Sequence, residues 1–159
     1  MKRFVSLLTT LLILISFPVS SQESGDEPLH LSIRGVRDGN TYLSVPVSKK
    51  DRFAIEFLHS YDRVYYRDTF QIKDRGSIVH VKSGGRSNLN GQGFFYENFV
   101  IKKDGTWEIT AIDRVVKEVT FIMGSRSDAN HRLLFKDEVF YLSELIPAGT
   151  TLKVLIEVP

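Results

Sequence analysis

The chain is predicted to be all-β, an antiparallel sandwich or a small barrel. Three observations point there. Short runs alternate apolar and polar residues along most of the chain. Turn-forming residues separate those runs at short, regular intervals. No long stretch carries apolar residues at helical spacing. Many short strands at this spacing match the architectures in which antiparallel sheets stack or close on themselves.

The first 21 residues are set apart from that pattern. Lys2-Arg3 is a short cationic start, Phe4 to Phe17 is mainly apolar, Pro18 breaks the run, and Val19-Ser20-Ser21 offers small residues before Gln22. This is the layout of a cleavable export signal, and the apolar run is shorter than the ~20 residues of a spanning helix. Residues 22–28 are expected to be a polar, disordered leader, and residues 29–159 a single β domain. The expected location is periplasmic or otherwise extracytoplasmic, with no membrane attachment after cleavage; a retained membrane anchor is the alternative.

Within the domain the predicted strands are Leu29–Arg34, Thr41–Val47, Phe53–Ser60, Val64–Lys73, Ser77–Ser83, Phe99–Lys102, Thr106–Ile112, Lys117–Met123, His131–Lys136, Val139–Leu142 and Thr151–Val158. The turns between them are marked by Asp38-Gly39-Asn40, Lys73-Asp74-Arg75-Gly76, Lys103-Asp104-Gly105 and Pro147-Ala148-Gly149. Asp104-Gly105 between two runs is a hairpin signal.

Composition narrows the function classes. Lys2 and Arg3 are two of the 21 basic residues, so the exported part carries 19 basic and 19 acidic residues. A near-neutral domain lacks the basic face that phosphate backbones require, so nucleic acid is not an expected partner. The chain has no cysteine, which removes disulfides, thiolate metal sites and cysteine nucleophiles.

Period-two alternation assigns the inward side chains. His59 shares a face with Phe53, Ile55 and Phe57. Asp68 falls among Val64, Tyr66, Phe70 and Ile72, and His131 lies in phase with Leu133 and Phe135. An inward carboxylate needs donors or a cation, because burying it unpaired costs several kcal/mol. His59 and His131 are its expected partners. Three readings are open: a polar cluster lining a ligand pocket, a hydrogen-bonded network that only secures the fold, or an Asp68 that sits at a bulge and reaches water.

The segment Gly84-Gly85-Arg86-Ser87-Asn88-Leu89-Asn90-Gly91-Gln92-Gly93 reads as a long Gly- and Asn-rich loop, longer than the usual ~2–5 residues of a hairpin connection. Such a loop can offer backbone N–H groups to a ligand. It lacks the third glycine of a dinucleotide fingerprint and the Lys-Ser/Thr of a phosphate-binding loop. A metal set of His59, Asp68 and His131 has neither His-x-x-x-His spacing nor a close carboxylate pair. A triad using Ser60 meets poor geometry, since Ser60 and its neighbour His59 point to opposite faces. No cofactor is expected.

The motifs, taken in order, resemble a bacterial family known as domain of unknown function 1850. Phe53 to Asp62 resembles that family's strand ending in His-Ser, a hydrophobic residue and an acid. Tyr66-Arg67-Asp68-Thr69-Phe70 resembles its acidic–x–aromatic element, Gly91-Gln92-Gly93-Phe94-Phe95-Tyr96-Glu97 its Gly-x-Gly loop, His131-Arg132-Leu133 its late His-Arg-Leu, and Leu142 to Val158 its closing strand. Asp62 and Asp68 stand where glutamate is more usual, and Phe94-Phe95 where smaller residues or proline are. The resemblance implies an exported or membrane-tethered β domain. The expected ligand-binding residues are His59, Ser60, Asp62, Asp68, Gly91, Gly93, Glu97, His131 and Arg132. The resemblance also implies an association with TRAP-type transporters that use TAXI-type solute-binding proteins. The leading expectation is a non-enzymatic accessory protein of solute uptake that binds a small organic ligand or the transporter's binding protein. An envelope interaction module and a metal-assisted hydrolase are the alternatives.

Overall fold

The structure is a computed structural model and describes residues 28–60, 63–86 and 98–158. The expected export signal, nearly all of the expected leader, Asp62, Gly91, Gly93 and Glu97 lie outside the described residues. Each predicted run forms a strand: β1 (Leu29–Gly35), β2 (Thr41–Val47), β3 (Arg52–Leu58), β4 (Tyr65–Asp74), β5 (Ser77–Arg86), β6 (Phe99–Ile101), β7 (Thr106–Val116), β8 (Glu118–Ile122), β9 (Ala129–Phe135), β10 (Glu138–Tyr141) and β11 (Thr151–Glu157). A single turn of helix, α1 (Leu142–Leu145), was not anticipated from the sequence. It turns Leu142 and Ile146, four residues apart, into the core.

The strands form two antiparallel sheets packed as a sandwich. The smaller has the order β2-β1-β11-β8 and the larger β10-β9-β3-β4-β5-β7-β6. Leu29, Leu31, Ile33, Leu152, Val154 and Ile156 from the smaller sheet meet Phe53, Ile55, Phe70, Ile72, Ile78, Leu133 and Phe135 from the larger. Each such side chain, when fully buried, stabilises the fold by about 1.5–3 kcal/mol. A second cluster of Tyr66, Trp107 and Ile109, with Phe57, Val64, Phe99 and Ile112, belongs to the larger sheet alone among the described residues. The sandwich is therefore lopsided: the smaller sheet covers only part of the larger sheet's inner face.

Two strands run three or four residues past their expected ends. β5 runs on through Gly84, Gly85 and Arg86, which the composition had marked as loop; they pair with Glu108, Trp107 and Thr106. Glycine is tolerated here for a packing reason. A Cβ on Gly85 would lie 2.8 Å from the Tyr66 ring and 3.0 Å from the Trp107 ring, which meet edge to face across it. β7 continues to Val116 because a bulge intervenes. Between His80↔Arg114 and Lys82↔Thr110, one residue of β5 faces three of β7, and Ala111 and Asp113 adopt left-handed φ of 51° and 48°. Beyond it, Val115 and Val116 regain pairing with Val79 and Ile78. Among the described residues no helix is long and apolar enough to cross a membrane.

Candidate functional site

Asp68 lies in mid-strand on the inner face, opposite Ile55 on one side and Ser83 on the other. The hydroxyl of Ser83 donates to Asp68 Oδ1 at 2.6 Å. His80 Nε2 lies 3.0 Å from that hydroxyl and 3.4 Å from the carboxylate. Strict alternation would point His80 and Ser83, three residues apart, to opposite faces. A bulge at Val81 adds one residue to β5 between the Thr69↔Lys82 and Phe70↔His80 pairs, so both side chains reach the same face. The His80 ring then stacks on Phe70 at 4.8 Å. Asp68 sits where the cover of the smaller sheet ends, and its side chain keeps 40% of its exposure.

His131 is also set by a bulge. Glu56 pairs with Arg132 and Leu58 with Ala129, so Asn130 and His131 together face Phe57. His131 is buried and stacks on Phe121 at 4.7 Å. The Gly124 N–H donates to its Nδ1 at 3.3 Å, which leaves the ring proton on Nε2. Burial pushes its pKa below the ordinary 6.5, so the ring is neutral at pH 7. Gly124 must be glycine in this setting, because a Cβ would stand 2.4 Å from the Asp128 carbonyl oxygen.

Asp68 and His131 line one pocket with Ile55, Phe57, Phe70 and the β8 residues Val119, Thr120, Phe121 and Ile122, enclosing about 350 Å³. That is the small end of the range of about 300–1,000 Å³ for ligand sites. The walls are largely apolar. Beside Thr120, the polar side chains are an anchored carboxylate, which accepts, and a neutral imidazole, whose proton is on Nε2.

The Ser83, His80 and Asp68 trio invites comparison with a hydrolytic triad, but the connections differ. A triad places the carboxylate on one imidazole nitrogen and the serine on the other. Here both meet Nε2, and the serine proton is committed to Asp68. The Nδ1 of His80 is buried without a partner among the described residues. This arrangement holds a carboxylate in place and does not activate a hydroxyl.

The remaining expected residues are placed as follows. His59 follows the end of β3 and stacks on Tyr66 at 4.8 Å. Tyr66 and Phe57 stand between it and His131, in ring contacts of 5.7 and 6.0 Å. Asp68 accepts a hydrogen bond from Ser83 and lies within ion-pair distance of His80, where His59 and His131 were expected. Ser60 is exposed. Arg132 lies on the opposite face of the sheet from His131: it bonds Glu56 Oε2 at 2.5 Å and covers the Tyr65 ring at 3.7 Å. Sequence reasoning missed His80, Ser83 and Glu56. His80 carried a usable signal, since it follows Ile78 in the same apolar alternation that singled out His59. Among the described residues no three His, Asp or Glu side chains are grouped to hold a metal ion.

Comparisons with protein-family models, curated proteins and solved structures find no match to this chain.

Proposed function

We propose that this chain is a non-enzymatic, exported accessory protein that binds a small ligand in the pocket shared by Asp68 and His131. The observation that carries the reading is that the anchored, half-open carboxylate of Asp68 and a neutral, buried imidazole line one largely apolar pocket. Such a pocket suits a compact apolar body whose polar end donates to the carboxylate and accepts from the imidazole. An ammonium or hydroxyl head fits, and a bare carboxylate head is repelled. The motif resemblance extends this reading to solute uptake, with a TRAP/TAXI-type transporter or its solute-binding protein as the physiological neighbour.

A thermal-shift comparison of cyclohexylamine with cyclohexanecarboxylate tests the pocket, because a ligand preferring the native state raises the melting temperature. The amine is expected to raise it and the acid to leave it unmoved. In Asp68→Asn, which keeps an acceptor for Ser83, the response to the amine should fall by about tenfold in apparent affinity. An indifferent wild-type protein, or an unchanged response in the variant, removes the reading.

One observation favours a second reading, an interaction module of the envelope. Tyr66 and Phe57 fill the space between His59 and His131, and the edge strand β6 exposes Val100 and Ile101. This reading replaces the first if neither probe shifts the melting temperature while Ile101→Lys abolishes a cross-link to a defined envelope protein.

A further inference from the structure

The outer face of the larger sheet carries a row of charges that the inner pocket does not use. Across β9, β3 and β4 the register aligns Arg132, Glu56 and Arg67; across β4, β5 and β7 it continues through Gly84 to Glu108. Glu56 is buried, and both arginines bind it: Arg67 Nε at 2.7 Å and Arg132 at 2.5 Å. Glu108 is bound by Lys82 and, at 2.8 Å, by Lys102. Those two ammonium groups, Lys102 first, hold the Glu108 carboxyl below the ordinary carboxylate range, so it is ionised at neutral pH.

Each carboxylate thus faces two cations, and each cluster keeps a positive surplus. The groove between the clusters encloses about 400 Å³. Among the described residues, Arg67, Lys82, Arg86 and Lys102 line it with Glu56 and Glu108 as the acidic groups. The side chains of Arg67, Lys82 and Lys102 keep 53%, 40% and 47% of their exposure, so unused donors face water. A guanidinium has five N–H donors and an ammonium three. Gly84 stands between Arg67 and Glu108 in the row; lacking a side chain, it leaves the groove its floor. The carboxylates already hold the cations in place, which lowers the ordering penalty for an incoming anion.

We propose that this groove is a binding site for a small dianion, a dicarboxylate or a phosphate, which bridges Arg67 on one side and Lys82 with Lys102 on the other. The domain is near neutral and the groove is interrupted by two carboxylates, which fits a compact dianion and not an extended polyanion. The site is on the opposite face from the Asp68 pocket and stands independently of it.

Isothermal titration of the purified protein at low salt tests this with succinate and inorganic phosphate, and with acetate and chloride at matched ionic strength as controls. Binding by succinate or phosphate, and not by the controls, is expected, and the arm that responds names the dianion class. In Lys82→Gln/Lys102→Gln the affinity should fall by about tenfold or more. Arg86→Gln, an exposed position, should give a smaller loss without any risk to folding. The proposal is overturned if neither dianion binds at about 10 mM, if acetate binds equally well, or if both groove variants bind like the wild type.

Discussion

Two carboxylates stand on neighbouring strands one register step apart, and their surroundings could hardly differ more. Glu56 pairs with Arg67, and the adjacent pair is Ile55 with Asp68. Glu56 points to the outer face, yet it is nearly buried, between two guanidinium groups. Asp68 points to the inner face, yet it is half open to water and held by a hydroxyl and an imidazole. Orientation relative to the core therefore does not decide exposure in this sandwich. What decides it is what lies above: arginine side chains roof the outer face at Glu56, while the smaller sheet stops short of Asp68. The buried carboxylate is an internal clamp, and the open one is available to a partner.

The contrast can be broken by substitution. Glu56→Ala should cost the most, about 3 kcal/mol in chemical denaturation, because it strands Arg132, whose Nε is already buried without a partner among the described residues. Gly124→Ala should follow at about 1–3 kcal/mol, the added methyl pressing on the Asp128 carbonyl and displacing the donor to His131. Asp68→Ala should cost only about 1 kcal/mol, since its side chain is part-solvated and Ser83 can turn to water. Equal losses for Glu56→Ala and Asp68→Ala would erase the distinction between clamp and binding group.

The smallest effect is a pH dependence. His131 has a folded-state pKa depressed by burial, so on acidification the unfolded chain takes up a proton before the native protein does. Its contribution is fully present above 6.5 and is lost as pH falls below that value towards the depressed folded pKa. Denaturation midpoints measured across that window should decline towards acid, and His131→Gln should flatten the decline.

The strand pattern was readable because alternation and turn residues are local properties. Every predicted run became a strand, with ends moved by up to four residues. The bulges were not readable, because a bulge is a relation between two strands. Val81 looks like any other strand residue, yet it alone brings Ser83 round to Asp68. Asp68 stood out as a charge within an apolar phase. Glu56 falls out of phase with Phe53, Ile55 and Phe57 and carried no such mark; its burial arises from arginines 11 and 76 residues away in sequence. Gly84 and Gly85 read as loop because their low strand propensity was visible and the aromatic rings requiring the space were not.

The sheet is one backbone thick, and adjacent residues serve opposite sides of it. Arg67 belongs to the charged groove and Asp68 to the inner pocket; Lys82 and Ser83 divide in the same way. Neither surface can shift these strands without moving the other. If occupancy of one side tightens or loosens the Asp68↔Ser83 pairing, reciprocity requires an equal change in the opposite direction of influence. The two sides would then communicate across a single peptide layer, with no hinge and no moving domain.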